Sequence, residues 1–364
     1  MSNEQNNQWS RCIAHLDLDA FYASVEEVEN PALVGQPIMV VMGNDTMARG
    51  AIATCSYAAR RFGVHSAMPV GQARKLCPDG VYLSVRHSLY QEYSRRVMAV
   101  LTEITPRLEQ VSIDEAYLDL SGATDNVALA ELCQQRITHE IGLSASVGVA
   151  TNKLTAKMAS GYRKPGGLTI IMPGHEAEFL ATQPLEKLHG IGPKSAARLR
   201  NMAMETIGDV AKADVRRLQE TFGPRLGLEL QAHAAGQDDG PIVTEREAKS
   251  LSYEQTLFDD VSDRRELWRQ IQQMAEGLED RLKTRRLVAR TVAIKLRFTN
   301  WKTITRAETL LVPTNEAAVI AGSAAHLMRQ SWKRGTPLRL IGVRVSNFVE
   351  DDAPRQLILP SLHR

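Results

Sequence analysis

The chain has 364 residues, 43% of them hydrophobic and 24% charged, and a net charge of +2. That length predicts two to four domains, and no apolar run approaches the ~20 residues of a membrane span. The polar start MSNEQNNQWS lacks the layout of a secretory signal. Cys12, Cys55, Cys77 and Cys133 show no CxxC pairing and read as reduced thiols of a cytoplasmic protein, not as a disulfide frame or zinc site.

In chain order, residues 11–18 predict a strand and Phe21 to Val28 the start of a helix. PIMVVM (37–42) predicts a short strand, and AIATCSYAARRFGV (51–64) a strand turning into a helix. Residues 88–104 and 126–141 carry apolar positions at helical spacing. VSIDEAYLDL (111–120) predicts two strands around a tight turn, and SASVGVA (144–150) another strand. A helix from Asn152 to Gly161, the loop GYRKPGG and the strand LTIIM (168–172) follow. Strands and helices mix without strict βαβα order, so the fold class is α+β. Residues 176–238 read as all helical, punctuated by HGIGP (189–193), IGDV (207–210) and FGPRLG (222–227). The turn-rich GQDDGPIVTEREAKS (236–250) predicts a linker. Beyond it come a strand, a helix (263–285), two strands (288–299 and 302–312), a helix (315–334) and a strand (338–348), a compact α+β unit. The tail ends in QLILPSL (356–362).

Charge divides the chain. Residues 1–240 hold 23 Lys/Arg against 27 Asp/Glu, and residues 241–350 hold 19 against 13. Within 281–306 there are nine basic residues and no acidic one. A solvated helix face accounts for many basic runs. This one crosses a helix end and two strands, which favours an acidic catalytic part joined to a part that meets a polyanion.

Two acidic clusters, DLDAFYASVE (17–26) and SIDEAYLDL (112–120), follow or sit inside apolar strand runs. An unpartnered buried carboxylate costs several kcal/mol, so grouped acids there call for a cation between them. Asp17 and Asp19 share a face if the strand continues. A hairpin turn at DEA would bring Asp114 and Glu115 to one site. Any one of these acids alone reads first as a surface acid at a strand end; the two clusters together read as a carboxylate site for Mg²⁺ and substrate phosphates.

These clusters, ATCSYAARRFGV and GYRKPGG, in this order, resemble the Y-family translesion DNA polymerases, and within them the DinB, or DNA polymerase IV, branch. The resemblance runs from Ile13 to the C-terminal peptide. It implies a right-hand α+β architecture with a ferredoxin-like palm (1–24 and 79–175), small fingers (25–78), a helical thumb (176–240), a linker (241–248), an α+β little finger (249–350) and a tail (351–364). Asp17, Asp114 and Glu115 would be the catalytic acids, holding two Mg²⁺ together with the carbonyl of Leu18. Asp19 matches a less central acid and stays outside that set. Tyr22 matches the steric gate, although the same spacing allows an ordinary core aromatic. Tyr57, Arg60 and Lys164 match the groups that hold the dNTP, with Thr54, Cys55 and Ser56 as a small roof over the base pair.

HGIGPKSAARLRNM resembles a helix-hairpin-helix, in which Gly190, Gly192 and Lys194 would meet a DNA phosphate. FGPRLG resembles a weaker second copy. Arg285, Arg286, Arg290, Lys295 and Arg297 would line the little finger's DNA face. Gln356, Leu357 and Leu359 would dock on a sliding clamp. The implied partners are primer-template DNA, dNTPs and the clamp, the implied form is a monomer, and no segment is left for a proofreading exonuclease. A palm-type nucleotide cyclase and a non-catalytic DNA-binding protein with a relic palm are the alternatives.

Overall fold

A computed structural model describes residues 9–42, 50–245 and 247–350. The expected clamp residues Gln356, Leu357 and Leu359 lie outside the described residues. The chain divides into two compact units, one built from residues up to 46 and 51–246, the other from 247 onward.

The first unit runs β1 (Ile13–Leu18), α1 (Phe21–Glu29), β2 (Ile38–Met42), β3 (Ala51–Cys55), α2 (Tyr57–Arg60), α3 (Val70–Leu76), β4 (Val81–Ser84), α4 (His87–Ile104), β5 (Leu108–Gln110), β6 (Glu115–Asp119), α5 (Asn126–Ile141), β7 (Ala145–Ala150), α6 (Lys153–Ser160) and β8 (Leu168–Ile170). The helices α7 (Glu176–Ala181), α8 (Pro193–Arg200), α9 (Ile207–Ala211), α10 (Val215–Phe222) and α11 (Pro224–Ala234) complete it. Its main sheet has the order β5-β6-β1-β7-β8, with β1 antiparallel to both β6 and β7.

Strand alternation places Ala14, Leu16 and Leu18 in a core with Tyr90, Val97 and Leu101 of α4 and Ile137 of α5. Each such fully buried aliphatic side chain contributes about 1.5–3 kcal/mol. Ile13 and Tyr117 pack with Ala156 and Ala159 of α6 in a separate cluster. Helix α6 presses so close to β7 that a Cβ at Gly148 would stand 2.1 Å from the Ala156 carbonyl oxygen; glycine alone permits that approach. A small sheet, β3-β2-β4, has its own core around Met39, Ile52 and Val70. The helices α7 to α11 enclose Leu180, Leu199, Ile207, Leu218 and Leu230.

The second unit runs β9 (Ser250–Val261), α12 (Arg264–Thr284), β10 (Leu287–Phe298), β11 (Thr303–Thr314), α13 (Ala317–Ser331) and β12 (Leu338–Glu350). Its antiparallel sheet has the order β11-β10-β12-β9. Val292, Ile294 and Leu296 of β10 pack with Ile271 and Leu278 of α12 and Ile320 and Ala324 of α13. The alternate residues Thr291, Lys295 and Arg297 therefore belong to the other face.

Two local expectations change. Of VSIDEAYLDL, only β6 is strand: β5 ends at Gln110, before the segment, and the turn occupies Val111–Asp114 instead of DEA. The cause is local: the Ser112 hydroxyl donates to the Asp114 carboxylate at 2.5 Å, and Asp114 N donates back to that hydroxyl at 3.3 Å, a turn that competes with strand pairing. In addition, β1 stops at Leu18, and Ala20 at φ 47° starts α1. Asp19 therefore leaves the strand instead of sharing its face with Asp17.

Candidate active site

The antiparallel register puts Asp17 of β1 opposite Glu115 of β6. Next along, Leu18 N donates to Asp114 O at 3.0 Å. One backbone ladder thus gathers Asp17, Asp114 and Glu115 at a strand end. Leu18 buries its side chain, so only its backbone can serve a ligand. Each acid already has a partner. Lys164 pairs with Asp17, Lys157 donates to Glu115 at 2.7 Å, and Ser112 holds Asp114.

Burial, countered by Lys164 and reinforced by Glu115 and Asp114, pushes the Asp17 carboxyl up to about 6. Among the described residues no three His, Cys, Asp or Glu side chains stand as a ready-made metal group. The donor set still fits a hard divalent cation. It is all carboxylate, which suits such ions, and the three acids stand at one strand end.

Behind the acids lies a layer that sequence reasoning missed. His15 is fully buried, with Nδ1 2.7 Å from Ser160 Oγ. Burial, then the charge of Lys157, lowers its pKa well below the ordinary histidine value. A neutral ring can accept from Lys157, whose Nζ lies 3.5 Å from Nε2. The signal for Lys157 was present: Lys153 and Lys157 sit four apart in NKLTAKMAS, on one face of an otherwise apolar helix.

Asp19 proves to be a buried hub. Its carboxylate accepts from Ser144 Oγ at 2.8 Å, Ser146 Oγ at 2.8 Å, Gly166 N at 2.8 Å and the Tyr57 hydroxyl at 3.3 Å. It pins the loop that carries Lys164, and its lone pairs are spent, which accounts for its absence from the expected metal ligands. Lys164 stands 3.9 Å from it. Tyr57 opens α2 with the Arg60 guanidinium 4.5 Å over its ring. Burial, then Asp19, pushes the Tyr57 hydroxyl up to about 12.

Of the expected roof, Thr54 is half-buried, but Cys55 and Ser56 face inward. Cys55 Sγ donates to Val64 O, and Ser56 caps α2 and bonds Ile38 N. Tyr22 is half-buried and stacks on Tyr90 at 4.1 Å with the rings 13° apart. Tyr90 is itself anchored to Glu26 at 2.6 Å. Burial, then the charge of Asp114, raises the Tyr22 hydroxyl, so the ring stands within the field of the acidic site.

A cavity of about 560 Å³ opens in this unit, lined by Asp17, Glu115, Lys157, Tyr162, His189 and Gly190. Gly190 has φ +92°, and a Cβ at Gly190 or Gly192 would meet nothing within 4 Å. The backbone there is open to a close ligand, with exposed Lys194 beside it. The second motif repeats only the Gly-Pro start: Gly223 and Pro224 open α11 as Gly192 and Pro193 open α8, but Gly223 has φ 92° where Gly192 has φ −90°.

In the second unit, Arg285, Arg286 and Arg290 are exposed. Arg290 falls at the register shift between Ala289 and Thr291. On the sheet face, Lys295 pairs with Glu254 at 2.7 Å, and Arg297 donates to Thr303 Oγ1 at 2.9 Å.

Comparison with known proteins gives the family. The family model described as impB/mucB/samB family matches residues 16–161, its C-terminal domain matches 248–359, and the model described as DNA polymerase-iota, thumb domain, matches 186–238. The chain is 41% identical over 353 residues to the DNA polymerase IV of Methanoculleus marisnigri, covering 95% of this chain and 97% of that protein. It is 40% identical over 344 residues to that of Streptomyces coelicolor, covering 93% and 71%. A solved Y-family DNA polymerase chimera superimposes with a TM-score of 0.84 at 26% identity, covering 93% of this chain and 99% of that one. The chain belongs to the impB/mucB/samB family, the Y-family DNA polymerases.

Proposed function

We propose that the chain is a template-directed, low-fidelity DNA polymerase of lesion bypass, which adds a deoxynucleotide from a dNTP to a primer 3′-hydroxyl. The observation that carries this reading is the register placing Asp17 against Glu115, with Asp114 hydrogen-bonded to the next rung. The family depends on divalent metal. Here the ligands would be Asp17, Asp114, Glu115 and the Leu18 carbonyl. Two Mg²⁺ ions, when bound, would lower the pKa of the primer hydroxyl and neutralise charge on the triphosphate and the leaving pyrophosphate.

The remaining work belongs to side chains. Arg60 presents a planar fork to phosphate oxygens and Lys164 a point charge, with the Tyr57 hydroxyl beside them. Tyr22, held flat by Tyr90, sits under the sugar and excludes a 2′-hydroxyl. Thr54 leaves the base pair loosely covered. Gly190, Gly192 and Lys194 hold a backbone phosphate, and Arg285, Arg286, Arg290, Lys295 and Arg297 hold others, without reading sequence.

The enzyme acts as a cytoplasmic monomer. Gln356, Leu357 and Leu359 bind the sliding clamp. Deleting 356–364 should spare synthesis on short primed templates and abolish its stimulation by the clamp. A nucleotide cyclase would leave the helices of 186–238 without a task, and a relic palm would leave the acids and their lysines without one. The deciding assay is primer extension with Mg²⁺ across defined template lesions. Wild type should extend and Asp114→Ala should not; equal extension by both would overturn the assignment.

A further inference from the structure

The segment after α11 is not a loose tether. Asn152, which caps α6 with its side-chain oxygen, donates through Nδ2 to Gly236 O at 2.8 Å. Leu154 N, in the first turn of α6, donates to Asp238 Oδ2 at 2.9 Å, so a carboxylate satisfies one of the orphan donors at that helix start. Arg11, before β1, donates to the carbonyls of Asp238 at 3.1 Å and Gly240 at 2.5 Å.

Lys153 reaches Pro241 O at 3.2 Å and Glu109 at 2.6 Å, and Glu109 in turn accepts from Val243 N at 2.9 Å. Glu109 is fully buried in β5, and nothing in the reaction uses it. Ile242 packs on the cluster of Ile13, Tyr117, Ala156 and Ala159. Beyond Val243, residues 244, 245 and 247–249 are all exposed.

A buried carboxylate is kept where a partner holds it and where removing that partner is costly. Here the partner is the α6 lysine, and the third member is backbone of the linker. The same helix carries Lys157, which holds Glu115, and Ser160, which holds His15. A rigid helix fastened at its N-terminus transmits position to its next turn, about 6 Å along.

We propose that residues 236–243 form a strap latched to α6, and that Glu109 and Lys153 are positioning residues which, through that latch, set Lys157 against Glu115. The kinetic consequence rests on Glu115 being a reaction-site acid; the latch itself does not.

The test uses the full-length chain and two readouts, amide hydrogen exchange over 236–243 and steady-state primer extension. In Glu109→Ala, exchange over 236–243 should quicken at least ~10-fold as the strap opens locally. kcat should fall roughly 10- to 100-fold, the range for loss of an outer partner of a ligating side chain, with KM for dNTP unchanged. Glu109→Gln keeps an acceptor and should recover most of kcat. Arg11→Ala removes two hydrogen bonds to the strap and leaves Glu109 and Lys153 in place; it should repeat both effects more weakly, which covers the case in which Glu109→Ala fails to fold. Unchanged exchange in Arg11→Ala, or in a folded Glu109→Ala, or a released strap with unchanged kcat, overturns the proposal. The second result would leave the assignment of Glu115 standing, because Asp114→Ala tests the acidic site separately.

Discussion

The sheet of the first unit and the sheet of the second handle charge in opposite ways. At the end of β1, Asp17, Asp19 and Glu115 are buried or half-buried, and each is held by a lysine, a hydroxyl or a backbone N–H. On the open face of the second sheet, Lys295 lies across from Thr305 and Gly342, and Arg297 across from Thr303. Among the described residues Arg285, Arg286 and Arg290 have no ion-pair partner. The first arrangement fixes geometry, which chemistry needs. The second keeps charge in solvent, free to exchange counterions for phosphates. The two regions should therefore fail differently when their charges are removed.

The largest effect should come from Asp17→Asn. Primer extension should drop by roughly 1,000-fold, comparable to loss of a principal charge-stabilising group, while affinity for primer-template stays unchanged. Stability should not suffer. The folded-state pKa of Asp17 is raised to about 6 from 3.8, so the folded chain binds this proton more tightly, and the group's contribution to stability declines as pH rises from about 4 to 6. Metal-free Asp17→Asn at pH 7 should melt no lower than wild type. A clear fall in melting temperature would mean that the Lys164 pair outweighs the cost of burial.

Asp19→Ala should behave in the reverse sense, as a structural lesion first. It strands the Ser144 and Ser146 hydroxyls and Gly166 N, at a cost of about 3 kcal/mol. For a unit of this size that lowers the melting temperature by roughly 10 °C. Intact stability would show that Asp19 is not the hub its contacts describe.

Tyr22→Ala should act on selectivity. Removing the ring should relax discrimination against ribonucleotides roughly 10- to 200-fold, the range for shape-based rejection of a small group. It also forfeits the stack on Tyr90, worth about 0.5–1.5 kcal/mol. Single-nucleotide kinetics with dNTP and rNTP pairs would check this, and unaltered sugar preference would return Tyr22 to the ordinary core.

The two regions also differ in how much of them the sequence disclosed. The second unit could be read almost element by element. Part of β10 alternates, with Val292, Ile294 and Leu296 buried against Lys295 and Arg297, and α12 carries a clear apolar period. In the first, the acids were visible because carboxylates inside apolar runs are anomalous. Their partners were not. Asp19 meets Ser146 across 127 residues, and Lys157 meets Glu115 across 42; such pairings follow from sheet order, which periodicity does not encode. The turn at Val111–Asp114 was misplaced because a single serine hydroxyl decides it. Ser56 faces inward for a related reason: the start of α2 needs a cap, and Ser56 supplies it.

The smallest effect on the folded chain, and the sharpest test of the contrast, should come from the basic face. Replacing Arg290, Lys295 and Arg297 together by alanine removes the Lys295–Glu254 ion pair and the Arg297–Thr303 hydrogen bond, both surface contacts. Exposed pairs contribute ~0–1 kcal/mol, so melting should hardly move, and kcat at saturating primer-template should be retained. What should change is the salt dependence of DNA binding. Each phosphate contact adds about 0.9 to the slope of log K against log salt concentration, so losing three contacts should flatten the slope by about 3. If the slope stayed put, these residues would not touch phosphate. If kcat fell with it, the second sheet would be shaping the reaction as well as holding the duplex, and the division between a region that fixes geometry and a region that supplies attraction would not hold.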